Sequence, residues 1–163
     1  MEHQDFLFIV AEISAVLAGF STVILIVGTR DDTPAFTAYT FASVIERSFV
    51  TVLMALLPAL IHSWDSLSNF SWQISSLVFA IYSLVLVFRG VSWWNSLNTE
   101  ERPISNKGFW WRIFVGASLS VLLMFNVFIG HTGLYLLNLA WMLLSISLLI
   151  LSYSLSAMET GRT

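Results

Sequence analysis

Cysteine is absent from the chain, which excludes disulfides and thiolate metal sites. With loops this short, the absence carries no weight on redox compartment. Charge is also scarce. Charged residues make up 10% of the sequence, with seven Lys and Arg against ten Asp and Glu, for a net charge of -3. That balance gives no basic footprint for nucleic acid, and no run of like charges forms a solvated tail. The opening Met1-Glu2-His3-Gln4-Asp5 holds no Lys or Arg ahead of the first apolar run. It therefore lacks the basic leader of a cleaved signal peptide, and the first run is expected to stay as a helix in the mature protein. Walker lysine loops, G-x-G-x-x-G, G-x-S-x-G and H-E-x-x-H are all missing, so neither an enzyme nor a bound cofactor is expected.

What fills the chain instead is apolar surface. Over 163 residues, 57% are hydrophobic and the mean hydropathy is +0.82. A soluble fold of this size could not hide so much, whereas a helix of roughly 20 mostly apolar residues crosses a bilayer core. The reading is an all-α, polytopic membrane bundle forming one domain over 1–163, with five transmembrane helices at about 6–27, 36–61, 72–94, 109–129 and 134–155. Thr33-Pro34 reads as an N-cap and first helical residue for the second helix, and Pro58 as a kink near its far end. Asn95 to Gly108 is the longest loop, and Gly130-His131-Thr132-Gly133 a tight turn with helix-stopping glycines at both ends. No internal repeat is visible, and an odd span number argues against a two-fold inverted repeat within one chain.

With five spans, Arg30, Arg89, Arg102, Lys107, Arg112 and Arg162 fall on or near one side, and Arg47 lies within a span. Cytoplasmic flanks retain Lys and Arg, so the N-terminus is expected outside and the C-terminus in the cytoplasm, in a plasma or inner membrane. Trp93, Trp94, Trp110 and Trp111 then form an inner interfacial belt, and Trp64 and Trp72 mark the outer one.

Intramembrane polar residues are the functional candidates. On the first helix Ala11, Glu12, Ala15, Ala18, Gly19 and Thr22 share one small-residue face, with Ala15 and Gly19 as close-packing positions; Glu12 is expected to point into the bundle or an oligomer interface. Asn126 and Asn138 come to nearly the depth of Glu12, with His62 and His131 just above. Asn138, Ser145 and Ser152 recur every seven residues along one seam. A second layer holds Glu46, Arg47, Arg89 and Arg112; the arc Tyr39, Thr40, Ser43, Glu46, Arg47 and Thr51 and the arc Arg112, Gly116, Ser120 and Leu123 are candidate path linings. The plainer alternatives are a carboxylate reaching headgroups, hydroxyl and amide glue between helices, and a structural ion pair beside a snorkelling Arg112. No metal site is expected; His62 and His131 are weak candidates, with His3 on the same side.

The leading expectation is a homo-oligomeric channel for protons or small ions, with the lipid bilayer as solvent. The alternatives are a non-conducting accessory subunit that holds a lipid-like ligand or a partner membrane protein, and a small secondary transporter.

Overall fold

Long apolar runs with few breakers wind into helices wherever the backbone has no water to bond. In the computed structural model, α1 spans Gln4–Gly28, α2 Ala35–His62, α3 Ser71–Ser96, α4 Asn106–Ile129 and α5 Thr132–Thr160, with a 3-10 turn, Ser68–Phe70, leading into α3. The structure describes the backbone of residues 4–28, 35–96 and 106–160, and the side chains of 5–23, 42–96 and 107–151. Among the described residues every regular element is helical, and five helices are long and apolar enough to span a membrane. The 25 residues of α1 extend about 37 Å at 1.5 Å per residue, more than the roughly 30 Å of a hydrocarbon core.

The chain divides into two compact units, Met1–Ala59 with Leu139–Thr163, and Leu60–Asn138. In the first, α1 buries Leu7, Ala11, Ser14, Ala18 and Ser21, and α2 buries Val44, Ser48, Thr51, Ala55 and Pro58. Both stripes step by four and three residues in alternation. That is the 3.5-residue period of a left-handed packing seam, and its small side chains let backbones come close. Pro58 sits on the seam, and α2 continues through it to His62.

In the second unit α3 and α4 form an antiparallel hairpin. Trp94 stacks on Phe109 with ring centroids 4.0 Å apart, a Cβ on Gly90 would meet Ile113 Cδ1 at 3.4 Å, and Ser76 bonds Asn126. The start of α5 joins them through Tyr135, whose fully buried ring meets Trp72 at 5.6 Å and Phe79 at 5.5 Å, edge to face in both cases. Trp72 and Phe79 are seven residues apart on α3, and small Ser75 between them leaves the hole this ring fills.

Burial runs opposite to that of a water-soluble domain. Ser14, Ser48, Thr51, Ser75, Ser76, Ser120 and Asn126 are buried, while Phe128 is 87% and Phe88 73% exposed.

Several expected boundaries shift. Gly130 and His131 alone separate α4 from α5, so Gly133 lies in the first turn of α5 and stops nothing. The loop expected over Asn95 to Gly108 is shortened, because α3 runs to Ser96 and α4 starts at Asn106. Thr33, Pro34, Arg30, Arg102 and Arg162 lie outside the described residues.

Candidate functional site

Asn126 is the centre of the best-defined polar cluster. It lies on the inward face of α4 with Ser120 and Leu123, so the arc read from Arg112 through Gly116 to Leu123 is the face α4 turns inward, with Arg112 and Gly116 half-buried. Its Nδ2 donates to Ser76 Oγ at 2.8 Å, and its Oδ1 accepts from the His131 backbone N–H at 2.8 Å. Its own carbonyl accepts from Gly130 N–H at 2.7 Å. Gly130 has φ +67°, the left-handed conformation that ends a helix at low cost only in glycine. A Cβ there would also lie 2.7 Å from Gln73 Nε2, so the Gln73 amide packs directly over the bare Cα. One carboxamide therefore ties α3, α4 and the turn into α5 together. Chemically this is a lock, with one hydrogen bond at each end of the carboxamide.

Asn138 is buried as well, but its Nδ2 donates within α5 to Leu134 O at 3.0 Å. The buried seam of α5 runs through Tyr135, Asn138, Leu139, Met142 and Ile146. Ser145 is half-buried on its shoulder and donates to Met142 O at 2.8 Å; the Ser152 side chain lies outside the described residues. Other hydroxyls behave alike. Ser14, Thr22, Thr51 and Ser120 each donate to the carbonyl four residues back, so the expected glue between helices is mostly bonding within them. Ser48 and Ser75 are buried exceptions whose Oγ atoms complete no hydrogen bond of good geometry; Ser75 lies beside the Tyr135 phenol.

The histidines take opposite roles. His62 Nδ1–H points at the Ser68 carbonyl at 3.3 Å, whereas His131 Nδ1 accepts from Gly133 N–H at 3.1 Å. Both rings are exposed, and among the described residues no three His, Asp or Glu side chains converge on a metal position.

Of the second expected layer, Glu46 and Arg47 belong to the first unit and Arg89 and Arg112 to the second. Glu46, Arg47 and Arg112 are half-buried and Arg89 is exposed. Glu46, Arg47 and Arg89 are all engaged by partners. Within the arc read on α2, Thr51 is on the buried seam, Ser43, Glu46 and Arg47 flank it, and the side chains of Tyr39 and Thr40 lie outside the described residues.

Glu12 departs from one expectation. It is exposed, as are Ala15 and Gly19, and nothing lies within 4 Å of where a Gly19 Cβ would sit. Of the small-residue face read from the sequence, Ala11 and Ala18 are buried and Thr22 is half-buried. The helix turns Ser14 and Ser21 inward instead, because the 3.5-residue seam selects them. Among the described residues nothing hydrogen-bonds or ion-pairs with Glu12.

No known protein family, curated protein or solved structure matches this chain.

Proposed function

We propose that the chain is a subunit of a homo-oligomeric membrane channel for protons or small cations, with α1 lining a shared axis through Glu12. The observation that carries this reading is the exposure of Glu12 beside Ala15 and Gly19. Glu12 lies six residues past Phe6, about 9 Å along the helix axis. A charged carboxylate facing hydrocarbon at depth costs several kcal/mol, so such a group is protonated, partnered or wetted. Neighbouring copies supply the relief when their α1 helices enclose a hydrated axis, and a ring of carboxylates favours cations. Ala15 and Gly19 permit the close approach this requires, and closed symmetry is the usual form of a homo-oligomer.

Insertion itself is supported by the exposed phenylalanines and buried hydroxyls. The distribution of Lys and Arg supports an outer N-terminus and a cytoplasmic C-terminus, in a plasma or inner membrane. The competing reading, a non-conducting subunit for a lipid-like ligand or a partner membrane protein, is favoured by the closed hydrogen bonding around Asn126.

Proton and monovalent-cation flux into liposomes under an imposed potential tests the proposal, alongside native mass spectrometry of the same samples. Glu12→Gln is expected to cut flux at least about tenfold with the oligomer intact, and Arg47→Gln to leave its pathway open. Equal flux in Glu12→Gln and wild type would remove Glu12 from the path. An intact oligomer silent at every pH and voltage would favour the accessory subunit, and a monomer would defeat the shared axis.

A further inference from the structure

His131 is the residue before α5, which starts at Thr132, so it stands at the N-cap and Gly133 at the second helical position. Its Nδ1 accepts the Gly133 N–H at 3.1 Å, the bond that a Ser, Asp or Asn cap makes to an otherwise unpaired amide. A histidine caps in this way only as neutral imidazole with Nδ1 unprotonated. The site is shaped around the ring. A Cβ on Gly133 would come within 2.9 Å of His131 Cε1 and 3.1 Å of Nδ1, so glycine at 133 is what admits the imidazole over the helix end. The backbone is fixed independently, since His131 N–H donates to Asn126 Oδ1 at 2.8 Å and Gly130 is covered by Gln73.

We infer that His131 is an acid-labile cap, a pH-sensitive latch on the α4–α5 turn. Protonation converts Nδ1 from acceptor to donor, so the bond to Gly133 N–H is lost. It also puts a positive charge at the positive end of the helix dipole, where cations are disfavoured. Both effects act in one direction: the latch is closed while the ring is neutral and opens as pH falls through the ring's titration. Imidazole is the side chain that ordinarily changes charge between about pH 5 and 8. Among the described residues of this unit, the surroundings offer little to counter this. Packed at this end, α3 brings Trp72 and Gln73, α4 brings Asn126 and α5 brings Tyr135, none of them charged near neutrality. His62 ends α2, and the segment ahead of α3, whose 3-10 turn packs on that helix, carries Asp65. The charged residues of α3 and α4 among those described, Arg89, Lys107 and Arg112, lie toward the opposite end of the hairpin. The latch would sense the compartment bathing this turn, whichever way the chain is inserted.

The test is NMR of the full chain in nanodiscs, following the ¹⁵N shifts of the His131 ring and the exchange of the Gly133 amide from pH 8 to pH 5. With the intrinsic pH dependence removed, Gly133 exchange should rise roughly fivefold, the size of one lost N-cap, with the same midpoint as the ring. His131→Asn, a cap that does not titrate, should hold protection flat across the range; Gly133→Ala should abolish the response although the histidine remains. His62→Gln should leave the transition in place. Gly133 protection that stays constant while the ring protonates would overturn the proposal, as would the same transition persisting in His131→Asn. The wild-type titration alone decides the matter if a variant fails to fold.

Discussion

Truncating Asn126 to alanine should loosen the junction of α3, α4 and α5. The residue is fully buried and the change removes two hydrogen bonds of 2.8 Å, which are not equal in weight. The bond to Ser76 joins two helices in the interior, and such bonds in membrane proteins contribute about 0.6 kcal/mol on average and up to about 1.7. The bond to His131 N–H is at an exposed residue, where water can take over, so roughly 0.5 kcal/mol is lost there. The space left by the carboxamide adds about 1 kcal/mol, because the neighbouring helices can close on it only in part. The total is roughly 2–3 kcal/mol, read as a shift in reversible unfolding in mixed micelles followed by tryptophan fluorescence. A double-mutant cycle with Ser76→Ala should return a coupling of about 0.6–1.7 kcal/mol. A loss below about 0.5 kcal/mol with zero coupling would refute the reasoning, since it would mean that Asn126 holds nothing that its neighbours do not.

Two further changes probe the same region by the same unfolding assay. Gly130→Ala should cost about 1–2 kcal/mol from the positive φ; adding Gln73→Ala should recover the steric part and leave the strain, and a neutral Gly130→Ala would mean the left-handed turn is not needed. Tyr135→Phe keeps both edge-to-face contacts with Trp72 and Phe79 and should stay within about 1 kcal/mol of wild type. Tyr135→Ala should lose roughly 2–4 kcal/mol, since lipid leaves the cavity contribution of a soluble-core truncation but weakens the transfer contribution; equal effects of the two Tyr135 variants would remove the ring from its place in the packing.

The five helices were legible because a spanning helix needs one thing that a sequence displays without context, an apolar run of sufficient length. Facing was harder. α1 carries small residues around nearly half of its circumference, so smallness alone does not choose a side. The arc holding Glu12, Ala15 and Gly19 and the arc holding Ser14 and Ser21 share Ala11 and Ala18. What separates them is spacing: Leu7, Ala11, Ser14, Ala18 and Ser21 keep the 3.5-residue period of two helices in sustained contact. Asn126 was legible as a buried polar group, but its partner was not, because a partner fifty residues away requires the hairpin register. That register had a signal in the aromatic belt. Setting Trp94 against Phe109 at the loop end brings Ser76 opposite Asn126 at the other. Gln73 and Gly133 left no such trace, since their roles depend on where a ring or an amide lies over a bare Cα.

A hydrated path needs donors and acceptors that are not already committed, and the distribution of polar groups bears on where such a path can lie. In the second unit the Asn126 carboxamide has both ends occupied, and the Asn138 and Ser120 donors are taken up within their own helices. In the first unit Ser14 and Thr51 are bound in the same way. These groups let helices pack closely with their own donors bonded, and opening them to water would forfeit packing while adding few free donors to the buried Ser48 and Ser75 hydroxyls, which complete no hydrogen bond of good geometry. Glu12 is different in kind: it is acidic and exposed, next to two exposed small residues, and among the described residues nothing lies within 4 Å of where a Gly19 Cβ would sit. If a polar conduit exists, the physics therefore favours a surface that a second copy completes over the interior of one subunit.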